Sequence, residues 1–159
     1  MLKLSKLTDY GIVLMGYMAK SHGESRAARE LSELSGLPLP TVSKVLKSLS
    51  RGGLLVSHRG KRGGYSLALE PKEISVAEMI RVLEGPVVLT DCSSAHIPTL
   101  CEMESKCPVR GNWQVINEVV FQALKDFSLE QMLEQSSECG GQVSVQSSRE
   151  PRLLELVKS

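Results

Sequence analysis

The chain has 159 residues, with 19 Lys and Arg against 18 Asp and Glu and a formal net charge of +1. That length fits one compact domain, or a small domain with a helical extension, and leaves little room for an enzyme with a deep two-lobed cleft. A charge near zero argues against a protein that coats nucleic acid or membrane through bulk charge, so the basic residues matter where they cluster. No apolar run approaches the roughly 18 residues of a membrane span. Met1-Leu2-Lys3-Leu4-Ser5 lacks the basic-then-apolar layout of a secretory signal, so the expected location is the cytoplasm. In that reducing setting the four cysteines are expected to be ligands or reactive thiols rather than structural disulfides.

The chain begins with two helical patterns. In the first, Thr8 can cap, Asp9 stands in the first turn where negative charge suits the helix dipole, and Gly11, Leu14, Met15 and Met18 share one face. The second starts after Ser25, carries Ala27, Leu31 and Leu34, and stops at Gly36. A short turn, Gly36-Leu37-Pro38, leads to a third helix after Pro40, whose apolar positions Val42, Val45, Leu46 and Leu49 recur at i, i+3, i+4 and i+7. Proline near the first helical position removes no intrahelical hydrogen bond, which gives this helix a clean start.

Two short helices joined by a Gly-containing turn, the second bearing Thr41, Ser43, Lys44, Lys47 and Ser48 on its free face, form a helix-turn-helix pattern. Leu54-Leu55-Val56-Ser57 and Ser66-Leu67-Ala68-Leu69 then read as strands around His58-Arg59-Gly60-Lys61-Arg62-Gly63-Gly64-Tyr65. The glycines let backbone approach closely, and His58, Arg59, Lys61 and Arg62 supply donors for phosphates or for a narrow minor groove. A helix-turn-helix followed by a basic two-stranded hairpin is a winged helix. A fourth helix follows, with Ser75 and Glu78 as capping box and Ile74 and Met79 as hydrophobic staple, ending at Gly85-Pro86.

Cys92, Cys101 and Cys107 lie in an aperiodic segment with Pro98 and Pro108, spaced C-x8-C-x5-C. The spacing lacks the tight C-x2-C knuckle of most structural zinc sites, and three soft sulfur donors suit an iron-sulfur cluster or zinc with a fourth ligand from elsewhere. Their polar neighbours, Asp91, Ser93, Ser94, Glu102, Glu104 and Lys106, fit ligands better than inert thiols, which are usually buried. Cys139, in a Ser-, Gln- and Gly-rich tail, reads as a bystander. Between loop and tail, Val109, Trp113, Ile116, Val120, Ala123 and Phe127 make a stripe that is either core or a dimer seam. A dimer is the expectation, because two copies read two half-sites. The expected fold is mainly α: a winged helix-turn-helix over 1–85, a cysteine loop over 86–108, a dimerisation helix with a following short helix over 109–135, and a disordered tail over 136–159.

Leu4-Ser5-Lys6-Leu7-Thr8-Asp9-Tyr10, Gly36-Leu37-Pro38-Leu39-Pro40-Thr41-Val42, Ser57-His58-Arg59-Gly60 with Gly63-Gly64-Tyr65, and the three cysteines before Pro108 and Trp113 stand in a telling order. Together, over about Met1 to Leu133, they resemble the winged-helix iron-sulfur regulators typified by IscR and NsrR. Through Cys107-Pro108-Val109-Arg110-Gly111-Asn112-Trp113 the chain is most similar to the branch that regulates the SUF iron-sulfur assembly operon. The resemblance implies a homodimer on double-stranded DNA, a recognition helix in the major groove, wings in the minor groove, and a cluster whose state changes DNA affinity. It places Pro38, Pro40, Thr41, Ser43 and Lys44 where the recognition helix meets DNA and Arg59 on the wing; the two prolines stand where IscR has hydroxyl residues. The implied cluster ligands are Cys92, Cys101 and Cys107, with a 2Fe-2S form as first expectation and 4Fe-4S as second. Arg110 occupies the place of the histidine ligand of IscR and stays protonated, so the fourth ligand falls to Asp9, which matches the cross-subunit aspartate of NsrR, or to His96.

The leading expectation is therefore a cluster-sensing repressor of iron-sulfur assembly genes, with no small-molecule substrate. The alternative is a cluster-free thiol or zinc switch on the same cysteines. A small redox enzyme or carrier is the weakest reading, since the chain has no nucleotide fingerprint, no C-x2-C and no base paired with a nucleophile.

Overall fold

A computed structural model describes residues 4–60, 63–90 and 106–136. Among the described residues, six helices and one hairpin follow in the order α1 (Lys6–Lys20), α2 (Ala28–Ser35), α3 (Leu39–Arg51), β1 (Leu55–His58), β2 (Gly64–Leu67), α4 (Val76–Leu83), α5 (Arg110–Lys125) and α6 (Leu129–Ser136), with a 3-10 turn at Pro71–Glu73. The expected architecture is present: a mainly helical winged helix with a two-stranded antiparallel wing.

Helix α1 is capped three residues earlier than Thr8: the Ser5 hydroxyl accepts from the Thr8 N–H at 3.2 Å, and Thr8 itself is buried inside the first turn. Its expected face holds, with Leu14, Met15 and Met18 fully buried. Helix α2 begins at Ala28 rather than just after Ser25, because the backbone of Arg26 is engaged elsewhere. Only Leu31 of its stripe is buried; Ala27 and Leu34 face outward. Gly36 closes α2 in the left-handed conformation (φ 70°), which a side-chain-bearing residue adopts at a cost, and so turns the chain into α3. All four expected core residues of α3, Val42, Val45, Leu46 and Leu49, are buried.

The strands lie one to two residues from their expected places, pairing Leu55 with Leu67, Val56 with Ser66, Ser57 with Tyr65 and His58 with Gly64. Arg26 joins the hairpin at Tyr65. Its N–H donates to the Tyr65 carbonyl at 2.8 Å and its carbonyl accepts from the Tyr65 N–H at 2.9 Å, so the segment before α2 adds a third, one-residue rung to the wing. A side chain at Gly64 would lie 2.5 Å from the Arg26 carbonyl oxygen, which is why this position has none.

Helix α4 takes half of its expected capping box, the Ser75 hydroxyl accepting from Glu78 N–H at 3.2 Å. The reciprocal box stands instead at Glu70 and Glu73. Around Ser75 the chain pairs with the α5–α6 junction: Val76 N–H donates to the Phe127 carbonyl and Leu129 N–H to the Ile74 carbonyl, each at 2.9 Å. Leu129 is thereby buried in the winged-helix core. Helix α6, grouped with the dimerisation helix in the sequence reading, packs back on α1. Ser128 and Gln131 form a second complete box at its start, a signal the sequence reading passed over.

Candidate nucleic-acid interface and cysteine loop

Helix α3 presents an outer stripe of Pro40, Lys44, Lys47 and Arg51, all exposed and spaced i, i+4, i+7 and i+11 along one face. Thr41, Ser43 and Ser48 flank it half-buried, and Pro38 stands exposed in front of the helix. No Asp or Glu occurs between Leu39 and Arg51, so the face carries positive charge unopposed by its own helix. Arg51 was missed from sequence, although it continues the spacing of Lys44 and Lys47. On the wing Arg59 is exposed, while the exposed His58 has its Nε2 2.8 Å from the Ser66 hydroxyl across the hairpin, which ties one ring nitrogen to the stem. Lys61 and Arg62 lie outside the described residues.

Of the cysteines only Cys107 is described: a free, half-buried thiol two residues before Val109, which precedes the first turn of α5. Cys92, Cys101, His96 and Cys139 lie outside the described residues. Among the described residues no group of three or more His, Cys, Asp or Glu is placed to hold a metal ion. The ends of the cysteine loop are nevertheless fixed. At its entrance Leu89 N–H donates to Asn117 Oδ1 of α5 at 3.0 Å, and at its exit Cys107 runs into that same helix.

Asp9 is exposed in the first turn of α1. Beside it, Glu84 reaches from the C-terminal end of α4 to the start of α1, where its carboxylate accepts from the Ser5 N–H. The Thr8 hydroxyl, then the Ser5 N–H and the Ser5 hydroxyl, favour its charged form and hold the carboxyl below its ordinary value of 4.5. A depressed value in the folded state stabilises the fold above the ordinary value and is lost as pH falls through the depressed one. The gap in thermal stability between wild type and Glu84→Gln is therefore expected to be constant at neutral pH and to close in acid. Unfolding midpoints followed from about pH 7 to about pH 3 check this.

The outer surface of α5 is unusual for a single chain. Val109, Trp113, Val115, Ile116 and Val119 are each 39–49% exposed. Val120 and Leu124 turn inward half-buried, and Phe127 packs on the core beyond the helix end. The sequence stripe thus divides into an inner edge and a wider outer apolar band. Among the described residues no helix is long and apolar enough to cross a membrane.

The profile of the Rrf2 family, described as iron-dependent transcriptional regulators, matches residues 4–135. The chain belongs to the Rrf2 family. Solved Rrf2-type structures agree over nearly their whole length. CymR (YrzC), the global cysteine regulator of B. subtilis, is 30% identical with a TM-score of 0.65, covering 85% of this chain and 98% of that one. T. potens IscR is 27% identical with a TM-score of 0.62, covering 90% and 94%. The oxidised form of Staphylococcus aureus CymR is 27% identical with a TM-score of 0.61, covering 84% and 97%. As an Rrf2 protein the chain is a transcriptional regulator with a DNA-binding winged helix.

Proposed function

We propose that this Rrf2 regulator is a cytoplasmic, homodimeric repressor that senses an iron-sulfur cluster and controls iron-sulfur assembly genes of the SUF type. One observation carries the reading: the cysteine-bearing segment leaves from Leu89, held by Asn117 of α5, and returns at Cys107, three residues ahead of α5, which also bears the exposed apolar band. A change in the loop therefore acts on the helix suited to joining two subunits. The donor set fits such a cluster, since three soft sulfurs with one carboxylate or imidazole match iron-sulfur ligation and Cys107 is an uncommitted thiol. Cys92, Cys101 and Cys107 would hold it, with Asp9 or His96 as fourth ligand; when bound, it supplies a tie that depends on iron, sulfide and redox state. Contributed across the dimer, Asp9 would couple the loop of one subunit to α1 of the other. The family's description as iron-dependent and the similarity to T. potens IscR support this reading, and a family of regulators gives a redox enzyme no support.

The similarity to CymR, a cysteine regulator, favours a second reading in which the same cysteines work as a thiol or zinc switch. Anaerobic purification separates the two. A brown protein containing iron and sulfide supports the cluster, and it should lose its colour in each of Cys92→Ser, Cys101→Ser and Cys107→Ser but keep it in Cys139→Ser. Colourless protein, with zinc or without metal, supports the switch. If colour appears, spectra of Asp9→Ala and His96→Ala identify the fourth ligand, and wild-type spectra from both remove both candidates.

A further inference from the structure

The leading turn of α3 offers few backbone hydrogen-bond donors. Helix N-termini ordinarily offer several unpaired backbone N–H groups. Here Pro38 and Pro40 have none, and the Thr41 and Val42 N–H groups both donate to the Pro38 carbonyl, at 2.9 and 3.1 Å. Leu39 is the one residue of the turn whose N–H remains. In place of donors the turn shows carbon: Leu39 is 42% exposed, and the rings of Pro38 and Pro40 are exposed beside it. The polar side chains of Ser43 and Lys44 come a turn later, and Lys44, Lys47 and Arg51 form an exposed cationic stripe.

We propose that Leu39, supported by Pro40, reads the 5-methyl group of thymine in the operator. The inference rests on the DNA-binding reading of α3 and deepens it. Residues at the start of a recognition helix meet base edges in the major groove, and the apolar group presented there is the thymine methyl. A leucine side chain gains by covering that methyl and gains nothing from the donor and acceptor edges of a G·C pair. Lys44 and Ser43 then supply the hydrogen-bonded part of the readout, and Leu39 selects A·T pairs with thymine on the facing strand at the neighbouring step.

The test uses the full-length protein, purified anaerobically, and a pool of random-sequence DNA duplexes from which the tightest binders are selected. The selected duplex is then resynthesised with deoxyuridine replacing one thymine at a time, which removes only the methyl group. At one thymine per half-site, affinity should fall about fourfold, the size expected for one buried methyl, and about sixteenfold when both half-sites are changed. Leu39→Ala should bind the thymine and deoxyuridine duplexes equally, whereas Lys44→Ala, though weaker, should still discriminate. Tolerance of deoxyuridine at every position, or discrimination that survives in Leu39→Ala, overturns the proposal while leaving DNA binding intact. Failure to select any duplex overturns the DNA-binding reading and this one together.

Discussion

Ile116→Glu is expected to convert a dimer into a monomer at micromolar concentration while leaving the winged helix folded. Ile116 lies in the outer apolar band of α5, with Trp113, Val115 and Val119 around it, and it is 44% exposed in the single chain. An apolar band of this kind on one helix marks an interaction surface, and in a two-fold dimer the same residue enters the interface twice. A carboxylate there would be desolvated without a partner in both copies, a penalty of several kcal/mol per charge. Val120 is a poorer probe because it is already half-buried on the inner edge, so charge there would strain the monomer as well. Sedimentation and helical circular dichroism together decide the matter: a folded monomer supports the seam, and a variant that still sediments as a dimer moves the interface off this band.

Removing Lys44 and Arg59 together is expected to abolish specific operator binding at physiological salt. Both are exposed, one on the recognition helix and the other on the wing. A base-edge contact contributes about 1–3 kcal/mol, and a dimer loses it in both half-sites. Lys44→Ala alone should relax sequence preference, whereas Arg59→Ala should weaken binding to all duplexes and flatten its dependence on salt. Titrating the folded double variant against the selected duplex over a range of salt is the measurement, and wild-type affinity would remove this surface as the DNA contact.

What could be read from sequence was what depends on neighbours along the chain. The four-residue apolar repeat of α3 was legible because each buried position follows from the one before it. The cap of α1 was misplaced because Ser5 and Thr8 are both hydroxyl residues, and the carboxylate of Glu84 that bonds them both lies 79 residues from Ser5 in the chain. The wing hid a similar contact: Arg26 pairs through its backbone with Tyr65, which has no local sequence mark. The role of α6 was hidden too, since the burial of Leu129 depends on backbone pairing with Ile74. For the candidate site, charge spacing made Lys44 and Lys47 legible, while the apolar leading turn, Leu39 between two prolines, showed its character only when the remaining backbone donors were followed to their acceptors.

The rung between Arg26 and Tyr65 has a consequence for how one subunit meets a duplex. Two backbone hydrogen bonds join the stem of the wing to Arg26, two residues ahead of α2, and so tie wing and helix-turn-helix together. The entropy of aligning two DNA-contacting parts is thus lost when the chain folds rather than when it binds, which favours affinity. It also sets the offset of the wing from the helix-turn-helix. If α3 and Arg59 both contact DNA as proposed, a duplex whose grooves do not match that offset is expected to bend or to bind weakly, so that shape is read as well as bases. In the proposed dimer the remaining adjustable quantity is the distance and angle between the two copies, and α5, which holds Leu89 at Asn117 and bears the exposed apolar band, is the helix proposed to set it.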